Sequence, residues 1–121
     1  MFRLLAVLAA LTFGASTVQA ASYNYYGALA IAGNGATGSS TNRANWDLAK
    51  RWAVYNCSSY ADDCGVAIYF VNTCAALARG DDGGYGTAKA STLTAAKNAA
   101  MTSCNTVDYG CRVLTWGCSR G

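Results

Sequence analysis

The sequence predicts an α+β domain made of two tandem β-β-α-β repeats, or their circular shift βαββ, forming one sheet packed by two helices and held by three disulfides. The first observation is a pair of cysteines with six residues between them, Cys57 and Cys64, where a helical pattern stops and an apolar alternating run starts. The second is the same spacing and setting 47 residues later, at Cys104 and Cys111. The third is the even count of six cysteines in a short chain, which is typical of an exported disulfide-stabilised domain.

The first twenty residues have the three parts of a secretory signal peptide. Arg3 precedes an apolar core of residues 4–13, and Val18-Gln-Ala20 is a small-residue cleavage motif. We therefore exclude residues 1–20 from the fold and predict a secreted or periplasmic protein. No other run approaches the roughly 20 apolar residues of a membrane-spanning helix, so we expect no membrane association after cleavage.

The remaining residues 21–121 are enough for one small domain with a modest core, divided into repeats at about residues 26–73 and 74–121. Without Arg3 the chain has eight basic residues and six aspartates, a net charge of +2 (8 − 6). These charges are scattered, so we expect no nucleic-acid partner. We also expect a monomer. The chain has no histidine and no glutamate, which removes the commonest general base and half of the usual carboxylates.

Each repeat begins with a short run of small apolar residues that suits a buried strand. At an offset of 47 residues, residues 27–32 align with residues 74–79. Segments rich in Gly, Asn and Asp follow, at residues 34–38 in the first repeat and 81–86 in the second. Both segments are predicted to be turns, because these residue types tolerate positive φ.

A helix comes next in each repeat. Hydroxyl side chains are candidate N-caps, namely Ser39, Ser40 or Thr41 in the first repeat and Ser91 or Thr92 in the second. The apolar stripes match position for position: Trp46, Ala49, Ala53 and Cys57, then Leu93, Ala96, Ala100 and Cys104. Two alanines in each stripe would let the helix lie close to a sheet.

Each cysteine hinge leads into a strand. Residues 64–71 and 111–118 alternate and are rich in β-branched and aromatic residues. Because the two hinge pairs are local and equivalent, the predicted disulfides are Cys57–Cys64, Cys104–Cys111 and, by elimination, Cys74–Cys118. Zinc binding is the rival interpretation, but the chain has no histidine and no Cys-x-x-Cys, and an exported protein meets an oxidising compartment.

These segments resemble a known family of exported bacterial proteins, the domain of unknown function 4189. The resemblance depends on three stretches, Tyr26-Gly-Ala-Leu-Ala30, Asn72-Thr-Cys74-Ala-Ala-Leu-Ala78 and Gly80-Asp-Asp-Gly-Gly-Tyr-Gly86. It also depends on the helix, cysteine and strand segments of both repeats. It covers nearly all of the chain after residue 20. The resemblance implies an exported single domain, and it brings no catalytic residue or cofactor.

The most chemically suggestive stretch is the segment of residues 81–86. Two adjacent carboxylates, Asp81 and Asp82, lie beside glycines and Tyr85, which makes the segment a candidate ligand loop. Calcium suits such oxygen ligands, although the spacing of an EF-hand is absent. An envelope hydrolase using Asp81 or Asp82 is a second alternative, but adjacent residues of an extended segment point to opposite sides. The simpler interpretation is a structural turn, and we expect no catalytic residue, metal or cofactor.

Eight tyrosines and three tryptophans are many for a domain of this size. We expect the larger rings to fill the core, namely Trp46, Trp52, Tyr69 and Trp116. The alternative is an aromatic binding surface that includes the tyrosines of the N-terminal segment and the hinges, Tyr23, Tyr25, Tyr26, Tyr60 and Tyr109. The leading functional hypothesis is a non-enzymatic exported module that binds a protein or cell-envelope partner, as an inhibitor, immunity or stress-related accessory factor.

Overall fold

The computed structural model describes residues 23–120 and contains the β-β-α-β unit twice. The first unit consists of β1 (Tyr26–Ile31), β2 (Thr37–Arg43), α1 (Trp46–Cys57) and β3 (Gly65–Val71). The second consists of β4 (Cys74–Arg79), β5 (Tyr85–Ala90), α2 (Leu93–Asn105) and β6 (Arg112–Cys118). The α+β class and the duplicated unit are therefore as predicted, and the order is β-β-α-β. The predicted signal peptide lies outside the described residues.

The strands form two antiparallel three-stranded sheets, with the orders β2-β1-β3 and β5-β4-β6. The prediction of one sheet is wrong, because the first strand of each unit is covered on both faces. On β1, Ala28 and Ala30 pack against α1, whereas Leu29 points to the other sheet. The molecule thus has four layers, in the order α1, first sheet, second sheet and α2.

Two kinds of interface build the core. Between the sheets, Leu29 and Phe70 of the first unit pack against Ala75 and Leu77 of the second. Between each helix and its sheet, the contacts are made by alanine and cysteine: Ala49, Ala53 and Cys57 from α1, and Ala96, Ala100 and Cys104 from α2. The helices therefore approach their sheets closely, as the alanines in the stripes predicted.

Glycines on β2 and β5 make this close approach possible. A Cβ placed on Gly38 would lie 2.2 Å from the carbonyl oxygen of Ala53 and 2.4 Å from the backbone nitrogen of Cys57. A Cβ on Gly86 would lie 2.3 Å from the backbone nitrogen of Cys104. Helix backbone fills the space that any larger residue would need at these two equivalent positions.

The repeat has two offsets because β2 contains one extra residue. Gly35 and Gly83 occupy the same hairpin position, with φ of +91° and +90°, at an offset of 48 residues (83 − 35). From the helices onward the offset is 47, as for Cys57 and Cys104. The extra residue lies in a bulge at Asn42, which has a φ of 57° and interrupts the register between β1 and β2. The predicted alignment of residues 27–32 with 74–79 is therefore one residue out of register.

The two helix starts differ from each other. Thr92 caps α2 and its side chain accepts a hydrogen bond from the Ala95 N–H, as predicted. The predicted caps of α1, Ser39 to Thr41, lie instead inside β2, and the cap is Asn45, whose side chain accepts from the Leu48 N–H. The hydroxyl side chains of β2 have the composition of a capping segment, because β2 shows no apolar alternation that marks it as a strand.

The three disulfides have the predicted pairing. Cys57–Cys64 and Cys104–Cys111 each connect the end of a helix to the following strand, and Cys74–Cys118 connects β4 to β6. Such a set of bonds indicates an oxidising, extracellular type of environment. Within residues 23–120, no helix has the length and apolar character needed to cross a membrane.

Candidate functional site

The candidate loop of residues 81–86 is folded around a carboxylate from the second hinge. The side chain of Asp108 accepts hydrogen bonds from the backbone N–H groups of Asp82, at 3.0 Å, and Gly84, at 2.7 Å. It also accepts from the N–H of Tyr109, at 2.7 Å. The backbone N–H groups of the loop therefore point to its interior, where the Asp108 carboxylate accepts their hydrogen bonds.

This arrangement controls the charge of Asp108. Desolvation raises the pKa of the Asp108 carboxyl, but the N–H groups of Tyr109, Gly84 and Asp82 and the positive charge of Arg79 act in the opposite direction. The net pKa lies below its ordinary value, because hydrogen bonds to the ionised form favour that form. Asp108 is therefore an ionised structural anchor at neutral pH.

The three predicted loop residues lie near one another, but they point to different neighbours. Asp81 pairs with Arg112 at 3.8 Å on the surface. Asp82 accepts a hydrogen bond of 3.4 Å from the Tyr109 hydroxyl, and Tyr85 lines a small hollow with Arg79. Across residues 23–120, no three acidic, cysteine or histidine side chains are grouped as potential metal ligands.

The prediction that the large aromatic side chains fill the core is wrong. Trp46, Trp52, Tyr69 and Trp116 are 43%, 41%, 39% and 45% exposed. The reason is the alanine-sized gap between each helix and its sheet, which leaves no room for an indole ring. The rings lie instead at the edges of these interfaces, as in the edge-to-face contacts of Trp46 with Tyr26 and Tyr69.

The outer side of α1 presents the most distinct surface. Leu48, Arg51, Trp52 and Tyr55 line a shallow, largely apolar hollow on this single helix, and we call them the α1 patch. The rings of Trp52 and Tyr55 meet edge to face, with centroids 5.7 Å apart. Arg51 is held by an ion pair with Asp47 at 3.3 Å, one turn earlier. Aromatic rings and a guanidinium are thus fixed together at the surface.

The second repeat shows which residues of the α1 patch the fold requires. At the offset of 47, the equivalent positions on α2 are Ala95, Asn98, Ala99 and Thr102. These are small or polar residues, and α2 still packs on its sheet in the same way as α1. The β-β-α-β unit therefore does not require an aromatic and cationic surface on its helix. Sequence reasoning missed the α1 patch, although a comparison of the helices at positions outside the apolar stripe would have revealed it.

A second cation, Arg43, lies beside the α1 patch. The guanidinium carbon of Arg43, the last residue of β2, lies 4.8 Å from the ring centroid of Trp52. Arg43 also lines a neighbouring hollow with Tyr23, Tyr25 and Asn42. It therefore lies between the N-terminal tyrosines and the α1 patch, and the equivalent residue of the second unit is Ala90.

Comparison with known proteins supports the fold and the family. Residues 26–118 match the model of a family described as a domain of unknown function, DUF4189, which confirms the resemblance inferred from sequence. A solved structure, the NMR structure of Rv1813c from Mycobacterium tuberculosis, is similar to this chain, with a TM-score of 0.57 and 23% sequence identity over 96% of this chain and 98% of that one. At this level of identity the similarity concerns the fold alone. No curated protein matches the chain.

Proposed function

The chain belongs to the DUF4189 family, whose description names no activity, and we propose that it is an exported, non-enzymatic module that binds a protein partner in the cell envelope through the α1 patch. One observation carries the proposal. The outer surface of α1 is aromatic and cationic, whereas the equivalent surface of α2, built on the same fold, is small and polar.

The composition of the α1 patch favours a protein partner. Tryptophan, tyrosine and arginine are the residue types that most often dominate the energy of protein–protein interfaces. Trp52, Tyr55 and Arg51 bring all three to one helix, and Leu48 adds apolar area beside them. An ordered ring pair also loses little conformational freedom on binding, which favours affinity.

The proposal of export is supported by the disulfides. All six cysteines are paired, and such bonds persist in secreted or periplasmic proteins and are rare in the cytosol. The predicted signal peptide at residues 1–20 points to the same destination.

The two alternatives from sequence have less support. Calcium binding at residues 81–86 would need oxygen ligands directed into the loop, but the N–H groups of Asp82 and Gly84 point there. A hydrolase using Asp81 or Asp82 would need a partner group across a scissile bond, and these carboxylates contact Arg112 and Tyr109 instead.

Site-specific photocrosslinking in the native envelope tests the proposal. The photoreactive residue p-benzoylphenylalanine replaces Tyr55 in one variant and Thr102, its equivalent on α2, in a matched control. We expect a discrete protein adduct from position 55 and none from position 102. Adding Trp52→Ala to the first variant installs the residue that α2 has at Ala99, so the unit should still fold. Adduct formation should then fall roughly tenfold or more, because truncation of a central tryptophan typically costs about 2 kcal/mol or more of binding.

Two results would contradict this function. Equal adducts from positions 55 and 102 would mean that the α1 patch has no special role. Absence of any protein adduct from position 55, in a variant whose circular dichroism and disulfides are native, would remove the proposed partner.

A further inference from the structure

Arg43 differs from every other arginine in residues 23–120 because it has no polar partner there. Arg51 pairs with Asp47, and Arg112 pairs with Asp81. The remaining two donate to backbone carbonyls: Arg79 to Ala32 and Gly33, and Arg120 to Ser91. Within the same range, Arg43 Nε is the one buried side-chain nitrogen or oxygen without a hydrogen-bond partner. The side chain of Arg43 thus makes no hydrogen bond to another residue of this range, and its guanidinium can donate to an acceptor from outside.

The position of this unpaired group is fixed by the fold. Arg43 ends β2 directly after the Asn42 bulge, and it stacks on the Trp52 ring at 4.8 Å. The Asn42 N–H donates to the Ser119 hydroxyl at 2.9 Å, which ties the bulge to the end of the chain. Stacking on an indole orients a guanidinium and leaves its edge available for a planar acceptor.

The charge around the α1 patch is positive. The ion pair of Arg51 with Asp47 is internally neutral, which leaves Arg43 as the uncompensated cation beside Trp52. A partner that contacts Trp52 with an apolar side chain therefore brings its neighbouring residues close to the free guanidinium. A carboxylate is the acceptor whose geometry and charge fit it best.

We propose that Arg43 binds an acidic side chain of the protein partner, so that the recognised segment places an Asp or Glu directly beside an apolar residue that packs on Trp52 and Tyr55. This inference rests on the proposed function, because it names the chemistry of the partner at the same surface. Charge complementarity with Arg43 selects this occupant.

Two short peptides test the inference on the ¹⁵N-labelled protein by NMR. The probes are acetyl-Ser-Leu-Glu-Leu-Ser-amide and its glutamine counterpart, which differ in one charge and have the same shape. We expect the glutamate peptide to shift the Arg43 Nε–H and Trp52 indole N–H signals, and to bind about threefold to fivefold more tightly than the glutamine peptide at low salt, as for an exposed ion pair.

Two variants distinguish Arg43 from any other cation. Arg43→Ala introduces the residue of the second repeat, Ala90, and should make the two peptides bind equally. Lys97→Ala is the matched control, since Lys97 also lies over a tryptophan, at 4.0 Å from the Trp116 ring, but in the second unit. The preference for the glutamate peptide should survive in this control.

Other outcomes overturn the inference. Equal binding of both peptides by the unmodified protein would show that the surface does not select a carboxylate, and absence of shifts with either peptide would exclude such a segment as the ligand. Sedimentation with phosphatidylglycerol vesicles that is abolished by Arg43→Ala would assign the site to an anionic membrane surface. The crosslinking from position 55 does not depend on the peptides, so it decides the proposed function separately.

Discussion

Replacing Gly38 by alanine should separate α1 from its sheet. The new Cβ would lie 2.2 Å from the Ala53 carbonyl oxygen, whereas ordinary contact begins at 3.4 Å, so a gap of about 1.2 Å (3.4 − 2.2) has to be opened. Both neighbours are backbone atoms, and the helix end is held by the Cys57–Cys64 disulfide. Rotation of a side chain therefore cannot relieve the clash.

The expected cost is at the upper end of the roughly 1–3 kcal/mol typical of overpacked cores, because opening the gap also loosens the contacts of Ala49 and Ala53. A loss of about 3 kcal/mol lowers the Tm of a domain this small by roughly 12–24 °C. Thermal unfolding followed by circular dichroism measures this. Gly86→Ala should behave alike, and Gly65→Ala, where a Cβ meets nothing within 4 Å, should change stability by about 0.5 kcal/mol or less. A Gly38→Ala protein as stable as Gly65→Ala would refute the close-packing argument.

Two further changes test the supports of the second unit. The pKa of Asp108 is lowered by folding, so its ionised carboxylate stabilises the protein above the unfolded-state pKa of about 3.9, and this contribution is lost as the pH falls through the lower folded-state value. Asp108→Asn should weaken the dependence of urea unfolding on pH below about pH 5. Replacing Cys74 and Cys118 by alanine should cost about 4 kcal/mol from loop entropy at a separation of 44 residues, compared with about 2.5 for Cys57 and Cys64 at a separation of 7. Equal losses of unfolding free energy for the two pairs of replacements, measured by urea unfolding, would contradict this ranking.

The sequence predicted the disulfide pairing because the repeat makes two cysteine pairs equivalent. It also contained the information for two sheets, since Ala28 and Ala30 alternate with Leu29 and the strand is apolar on both faces. A single sheet with both helices on one face would leave Leu29 and Leu77 without cover. The offset of 48 in the hairpins was missed because it depends on the bulge at Asn42, whose φ of 57° is visible only in the backbone.

The candidate site was predicted less well than the fold. The two carboxylates of residues 81–86 make the loop a candidate site in the sequence. Its conformation depends on Asp108, which lies 22 positions after the loop ends (108 − 86). The exposure of Trp52 could not be inferred from its type, because a tryptophan in a helix is ordinarily a core residue. Only the size of the gap between helix and sheet, set by Gly38 and the alanines, excludes it from the core.

The duplication separates stability from recognition, because residues required by the unit recur and residues that serve a partner need not. The additional supports belong to the second unit: the Asp108 anchor, replaced by Ala61 at the equivalent position, and the Cys74–Cys118 disulfide. The α1 patch and Arg43 belong to the first. The hydrogen bonds of Asp108 go to Asp82, Gly84 and Tyr109 and include neither Arg43 nor the α1 patch, so the effects of the two sites should be additive. Asp108→Asn should therefore unfold at a lower temperature and yet bind the glutamate peptide with unchanged affinity below that temperature. A matching loss of binding in NMR titration would show that the second unit shapes the α1 patch.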